Sequence, residues 1–139
     1  MDHFIEVLLP LPLERNFTYA VSPAQASQLL VGMRVAVPFG KSKLYTALVV
    51  RTDTDPPAAY EAKNVYEILD EKPLVSELQL RFWKWMASYY MCTPGEVFRT
   101  AGPGILLLES ETRVSMEPSW EIGSADLKSS EALVLQALQ

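Results

Sequence analysis

The chain up to about residue 70 alternates between short apolar runs and turn residues, with a break roughly every ten positions. Apolar stretches of four to eight residues bounded by Pro, Gly or polar clusters are typical of β-strands. The pattern is clearest at 33–39, where the alternate residues from Met33 to Phe39 are large and apolar. The predicted strands cover residues 3–9, 17–21, 33–39, 44–51 and 65–69.

The spacing of these strands favours a small barrel-like or sandwich-like sheet. After residue 75 the apolar side chains recur at the period of a helix. Ser76 and Gln79 occupy the positions of a capping box, which predicts a helix over about 77–91. A second cap pattern, Thr93-Pro94-Gly95-Glu96, predicts a short helix that ends at Gly102. The predicted fold class is therefore β-rich α+β with two helices.

The last thirty residues have a different character. A strand is predicted at 112–116 and an amphipathic helix at 131–138, where the chain stops after about two helical turns. We therefore expect one domain over 1–108 and the beginning of a second, cut short, over 109–139.

Charge limits the kind of nucleic-acid contact that this chain is expected to make. The net charge of the 139 residues is -5, whereas proteins that grip a long duplex are rich in Lys and Arg. Residues 1–51 hold five basic and three acidic side chains, and residues 109–139 hold two basic and six acidic ones. A small contact with a strand end fits this balance better than a long one.

The scarcity of Cys and His excludes several kinds of site. Cys92 is the only cysteine and His3 the only histidine, so an internal disulfide and a structural zinc site, which takes about four ligands, are both excluded. Cys92, at a helix end, is expected to be a packing residue. With no secretory leader or membrane-spanning run expected, the cytoplasm is the predicted location.

Gly40-Lys41-Ser42 is not a nucleotide-binding loop. That motif requires a glycine five positions before the Gly-Lys pair, where this chain has Val35. The carboxylates are scattered and there is no second histidine, so we predict no catalysis by this chain.

Aromatic side chains are the remaining candidates for a binding site. The helical spacing of Phe82, Trp83, Trp85, Tyr89 and Tyr90 predicts that most of them are buried against the sheet. Phe17 and Tyr19 flank Thr18 on a strand, and Arg15 lies just upstream. Aromatic faces beside cations bind unpaired bases, but a shared strand face places both rings in the core equally well.

Other residues near the predicted turn suit a phosphate-bearing ligand. Gly40 permits close approach to the backbone, and Lys41, Lys43 and Lys63 are candidate phosphate contacts.

Four separated motifs stand in a distinctive order along the chain: Leu9-Pro10-Leu11-Pro12-Leu13, Phe17-Thr18-Tyr19, Arg34 through Lys41, and Tyr89-Tyr90 with Pro94 through Val97. Together they resemble the amino-terminal region of the PriA family of replication-restart helicases. The likeness runs from about residue 4 to 106, and the tail resembles the start of that family's winged-helix domain more weakly.

The resemblance implies a domain that captures the 3′ end of a nascent strand at an abandoned replication fork. Its pocket would consist of Phe17, Thr18, Tyr19, Gly40 and Lys63. The family commonly has Asp where Thr18 stands, and that carboxylate accepts a hydrogen bond from the terminal hydroxyl. A neutral acceptor makes the weaker hydrogen bond, so weaker end discrimination is expected here.

The family's other attributes are expected in other parts of a full-length relative. ATP and zinc belong to the helicase portion that this sequence lacks, so no cofactor is expected here. DNA is the expected partner, and single-stranded DNA-binding protein and primosome proteins are expected partners of the full-length protein. A second departure from the family pattern is Ala47, where relatives often have Gly. This difference affects the geometry expected for the loop at 41–45.

A different class of function remains open on the sequence alone. The acidic balance and the Pro-flanked aromatic residues also suit a protein-interaction module of a larger assembly, without recognition of DNA ends.

Overall fold

The structure, a computed structural model, describes residues 3–41 and 43–107. The predicted strand at 112–116 and helix at 131–138 lie outside the described residues. The strands are β1 (His3–Leu8), β2 (Phe17–Val21), β3 (Arg34–Phe39), β4 (Lys43–Arg51) and β5 (Glu67–Ile68). The helices are α1 (Pro23–Ala26), α2 (Glu77–Tyr89) and α3 (Pro94–Ala101), followed by a 3-10 turn at Gly104–Leu106.

The strands form one antiparallel sheet in the order β2-β1-β4-β3-β5. The hairpin predicted between the third and fourth strands is present, with Arg34 opposite Leu48 and Phe39 opposite Lys43. Strand β1 lies between β2 and β4, which makes β2 one edge of the sheet and β5 the other.

Residues 63–69, which include β5 and which we call the closing segment, connect β3 to the edge strand β2. On one side, the amide of Ala20 donates to the carbonyl of Lys63 at 2.9 Å, and the amide of Val65 donates to Ala20 at 3.0 Å. On the other side, the amide of Tyr66 donates to Ala36 at 2.9 Å. The predicted strand 65–69 is therefore shortened to Glu67–Ile68, because the residues before it turn to pair with β2. The curled sheet confirms the barrel-like prediction.

The interior of the curled sheet holds the main apolar core. Inward-facing residues alternate along the strands as predicted, because successive side chains of a strand point to opposite faces. Both Phe17 and Tyr19 face this core: Tyr19 is buried and Phe17 partly buried. The buried members are Ile5, Val7, Leu9, Tyr19, Val21, Leu29, Val35, Val37, Ala47, Val49 and Val65.

A second apolar cluster covers the outer face of β1 and β4. Leu8 and Leu48 lie there with Val75 and Phe98, and Leu80 and Trp83 of α2 pack against them. The rings of Trp83 and Phe98 stack with centroids 5.7 Å apart. Helices α2 and α3 thus cover the outer face of the sheet. None of the helices within the described ranges is long and apolar enough to cross a membrane.

Helix α2 presents a second apolar face, which points away from the sheet. The prediction that most of its aromatic residues are buried is wrong: Phe82, Trp85, Tyr89 and Tyr90 are all more than half exposed. Helical spacing gives two apolar stripes here, and only the one with Leu80, Trp83 and Ala87 meets the protein. We call the outer one, with its stacked rings, the aromatic stripe: Leu78, Phe82, Trp85 and Tyr89.

Three capping boxes fix where the helices begin. Ser22, Ser76 and Thr93 each accept a hydrogen bond from the backbone three residues on, and the third-position side chain is bonded in return. Two of these starts were predicted; α1, only four residues long, was not, because it is too short to show an apolar period.

One partly buried ion pair fixes the end of the closing segment. The Arg34 guanidinium and the Asp70 carboxylate lie 2.6 Å apart, and the Arg34 backbone amide donates to the same carboxylate at 2.8 Å. Burial opposes ionisation of Asp70, but the hydrogen bonds from the side chain and backbone of Arg34 outweigh it and lower its pKa. Arg34 also donates to the Leu106 carbonyl, so it links β3 to both neighbouring segments.

Gly95 permits α3 to lie against the segment that follows β1. A Cβ atom at this position would lie 2.1 Å from the carbonyl oxygen of Leu11 and 2.4 Å from that of Leu9. We expect Gly95→Ala to lower the free energy of unfolding by about 2–3 kcal/mol, because neither backbone group can move aside cheaply. Urea unfolding measures this. Gly104→Ala is the matched control, since nothing lies within 4 Å of its added Cβ, and an equal loss there would contradict this explanation.

Removal of the Asp70 carboxylate is expected to destabilise the fold in a pH-dependent way. Asp70→Ala should cost about 2–3 kcal/mol at neutral pH, because hydrogen bonds to a charged group are lost and Arg34 is left unpaired. Since folding lowers this pKa, the contribution is present above the ordinary value of 3.8 and is lost as the pH falls through the folded-state pKa.

The gap in unfolding free energy between wild type and Asp70→Ala should therefore be constant from neutral pH to about pH 5 and shrink at lower pH. Urea unfolding across that range measures it, with the exposed Asp55→Ala as the control. A gap that persists unchanged in acid would contradict the assignment.

Candidate nucleic-acid interface

A pocket of about 230 Å³ lies where β2, the turn after β3 and the start of the closing segment meet. We call it the end pocket. It brings together five of the eight predicted site residues: Phe17, Thr18, Tyr19, Gly40 and Lys63. Four further residues line it: Pro38, Phe39, Tyr60 and Glu61.

Three aromatic rings form one wall of the end pocket. Phe17 meets Phe39 edge to face, with centroids 5.2 Å apart, and lies 6.3 Å from the ring of Tyr60. Phe17 is partly buried by these neighbours, and Tyr60 is exposed. The wall thus offers apolar ring surface beside open solvent, which is what a stacked base needs.

Tyr19 supports the pocket from the core side. Only 4% of the residue is exposed, and its hydroxyl donates to the Pro38 carbonyl at 3.0 Å. Burial raises its pKa to about 12, with a smaller contribution from Tyr60. The bond ties β2 to the end of β3, so Tyr19 holds the two strands that carry the pocket walls.

Thr18 lies opposite Tyr60 at the rim. The Thr18 backbone amide donates to the hydroxyl of Tyr60 at 2.7 Å, which holds the loop before the closing segment against β2. The Thr18 hydroxyl is one acceptor at this rim, and the carboxylate of Glu61 supplies a second, charged one.

Lys63 and Gly40 meet across the pocket mouth. The Lys63 ammonium donates to the Gly40 carbonyl at 2.8 Å. An ammonium has three donors, so two remain for a ligand. Gly40 has a φ of 72°, a backbone conformation that residues other than Gly rarely adopt, and the space beside it is open. A ligand can therefore approach the backbone of this turn directly.

The other three predicted residues do not line the end pocket. Lys41 and Lys43 are exposed at the hairpin turn beyond Gly40. Arg15 lies above the outer side of Phe17, with its guanidinium carbon 5.5 Å from the ring centroid, and lines a neighbouring cleft instead. Charge and sequence proximity favoured these three cations, but none of them is among the residues that line the end pocket.

Sequence reasoning missed Tyr60 and Glu61, and it treated Phe39 only as a core residue. Tyr60 and Glu61 belong to a polar, Pro-rich loop without a repeating pattern, so their only signal was an aromatic residue directly before Glu61-Ala62-Lys63. No group of three or more His, Cys, Asp or Glu within 3–41 and 43–107 is arranged to hold a metal ion.

Comparison with known proteins identifies similar sequences over most of the chain. Residues 6–103 match a family model described as the 3′DNA-binding domain (3′BD) of PriA. The match covers the whole sheet apart from the start of β1, and it covers α2, α3 and every residue of the end pocket.

Curated relatives carry the name replication restart protein PriA. The chain is 29% identical to the protein of Treponema pallidum (strain Nichols) over 107 residues, which is 74% of this chain. It is 34% identical to the protein of Haemophilus influenzae over 123 residues, 87% of this chain. It is 24% identical to that of Buchnera aphidicola over 102 residues, 73% of this chain. The chain spans only 14 to 16% of the length of these relatives.

Tyr19→Phe is expected to remove a tyrosine whose pKa is raised by burial. Since burial raises the pKa of Tyr19, its protonated form stabilises the fold below the ordinary value of 10, and this contribution is lost as the pH rises towards about 12. An absorbance titration of tyrosinate should lose its component near pH 12 in the variant. At neutral pH the lost hydrogen bond should cost about 1 kcal/mol. Tyr66→Phe, at an exposed position, should leave that component in place.

Proposed function

The chain belongs to the PriA 3′ DNA-binding domain family, and we propose that its end pocket binds the 3′-terminal nucleotide of a DNA strand. The observation that carries the proposal is the meeting of an aromatic wall, an ammonium and an open glycine turn in one pocket. DNA binding follows from the family; recognition of the strand end is the step that we add.

The size of the pocket suits one nucleotide rather than several. Its volume of about 230 Å³ lies below the roughly 300–1,000 Å³ of most small-molecule sites. A base would stack on the aromatic wall, and the two free donors of Lys63 would meet the adjoining phosphate. Stacking of one base and contact with one phosphate together form a local contact, which a chain of net charge -5 can make with DNA.

Recognition of a free end requires a group that distinguishes a hydroxyl from a phosphate. The hydroxyl of Thr18 can accept a hydrogen bond but carries no charge, and it stands where the family commonly has a carboxylate. Glu61 lines the same pocket, so a carboxylate is still present at the rim. It would accept from a free 3′-hydroxyl and would repel a 3′-phosphate, because two negative groups would then be held close together.

The names of the relatives extend this proposal to a biological setting. We propose that the domain is the part of a longer replication restart protein that takes the nascent 3′ end at an abandoned fork. The ATP-dependent helicase activity of such a protein would lie in the large part of the relatives that this chain does not span.

The deciding assay compares two labelled 12-mers, one with a free 3′-hydroxyl and one with a 3′-phosphate, by fluorescence anisotropy. Wild type should prefer the free end. Phe17→Ala should weaken binding of both strands by about 5- to 150-fold, since stacking contributes about 1–3 kcal/mol per base. Glu61→Gln should leave the affinity for the strand with a free 3′-hydroxyl unchanged and raise the affinity for the strand with a 3′-phosphate. The ratio of the two affinities should therefore become smaller than in wild type.

Phe82→Ala is the matched aromatic control, because Phe82 is exposed on α2 and does not line the end pocket. Because Phe17 is partly buried, circular dichroism should be used to check that Phe17→Ala is folded. Lys63→Gln changes an exposed residue of the same pocket and so tests the pocket without altering the core. Equal binding of both strands by wild type would contradict end recognition, and so would an equal loss in Phe82→Ala.

The competing hypothesis is a protein-interaction module without end recognition. The exposed aromatic stripe of α2 favours it, since contiguous apolar patches mark interaction surfaces. A module of this kind would show neither a preference for the free 3′-hydroxyl nor a steep dependence of DNA affinity on salt. The same assay therefore distinguishes the two functions.

A further inference from the structure

A second concave surface, which we call the basic cleft, lies between α2 and the outer face of β1 and β4. Its volume is about 570 Å³. Four cationic side chains line it, Arg15, Arg51, Arg81 and Lys84. The carboxylates of Glu6 and Glu14 line it as well, so the lining carries a net charge of +2 in a chain of net charge -5.

Part of the negative charge in the basic cleft is already engaged. Glu6 accepts a hydrogen bond from Asn16 at 2.7 Å and lies 3.9 Å from the guanidinium of Arg51. Neither Arg81 nor Lys84 forms an ion pair with a residue in the described part of the chain. These two cations stand on one flank of α2, between its buried face and the aromatic stripe. Among the described residues, both cations are thus exposed and without an anionic partner, as contact with an external anion requires.

The basic cleft adjoins the end pocket. Residues 15 and 16 line the cleft, and residues 17 and 18 line the pocket. The guanidinium of Arg15 lies 5.5 Å above the ring of Phe17, which is itself part of the pocket wall. A polyanion that leaves the pocket past Phe17 thus meets Arg15 first and the cations of α2 next.

We propose that the basic cleft binds the sugar-phosphate backbone of the same DNA strand whose 3′-terminal nucleotide occupies the end pocket. The proposal rests on the proposed function. Arg81 and Lys84 would contact the phosphates, and the apolar floor with Val50, Leu80 and Trp83 would accept the sugars. Phosphate contacts of this kind carry no sequence preference and fix the strand's direction relative to the pocket.

Charge and continuity favour a nucleic-acid strand over an acidic peptide. An acidic peptide would also meet the cations, but nothing would align it with the end pocket. Arg15 lies over the ring of Phe17, so a strand whose terminus is held in the end pocket passes close to it. This proximity raises the local concentration of the strand at the basic cleft. Longer strands should consequently bind more tightly than a dinucleotide that fills the pocket alone.

The test uses the full chain with the double variant Arg81→Ala/Lys84→Ala. Alanine favours the helix, so α2 should be retained, and circular dichroism verifies it. The matched control is Lys72→Ala/Arg99→Ala, which removes the same charge from exposed positions outside the basic cleft. Unlabelled oligothymidylates of 2 and 12 nucleotides compete against a labelled 12-mer with a free 3′-hydroxyl, at several salt concentrations.

The cleft variant should bind the 12-mer several-fold more weakly than wild type and the dinucleotide equally well. The slope of log affinity against log salt should become shallower by about 1.4, since each single-strand phosphate contact contributes about 0.7. The control variant should keep the wild-type slope. Arg81→Glu/Lys84→Glu should weaken binding of the 12-mer further, because it replaces attraction by repulsion.

An unchanged slope and affinity in the cleft variant would overturn the proposal and leave the cleft to another anion, such as an acidic protein segment. An equal loss in the control variant, or an equal loss for the dinucleotide, would overturn it as well. The proposed function fails by a different result, which is a wild type that does not prefer a free 3′-hydroxyl. In that case a shallower salt slope in the cleft variant would still show that the basic cleft contacts phosphates.

Discussion

The backbone hydrogen bonds of residues 63–69 hold the domain in the shape on which its other features depend. This segment bonds to Ala20 of β2 on one side and to Ala36 of β3 on the other, and so it closes the curled sheet between these two strands. Without it, both edges would expose unpaired backbone groups and the core would open. The ion pair between Arg34 and Asp70 secures the far end of the segment, where the last of these hydrogen bonds is made.

The same closure creates the end pocket. Lys63 begins the closing segment, and Tyr60 stands three residues before it, so both reach Phe17 and Gly40 only because the segment returns to β2. The pocket therefore combines side chains from three separate parts of the chain around one partly buried ring. The stability of the sheet and the shape of the pocket are coupled here, since the hydrogen bonds that close the sheet also fix the position of the ammonium relative to the aromatic wall.

Helix α2 contributes to three different surfaces. Its inner face packs on the sheet through Leu80 and Trp83, one flank carries the cations of the basic cleft, and the opposite face carries the aromatic stripe. The cationic side chains are likewise concentrated at particular places on the surface. An overall net charge of -5 is compatible with DNA binding where cations are gathered at a pocket and an adjoining cleft instead of over a whole face.

The sequence by itself determined the strands, the hairpin and the starts of α2 and α3, because apolar period and capping residues act over a few neighbouring positions. It also nominated Phe17, Thr18, Gly40 and Lys63, through the resemblance of separated motifs. Only the tertiary structure decided which apolar stripe of α2 is buried, since both stripes have the same period and the choice depends on what packs against the helix. It likewise decided that Tyr60 and Glu61 join the end pocket while Lys41 and Lys43 do not, because long-range strand pairing sets those distances.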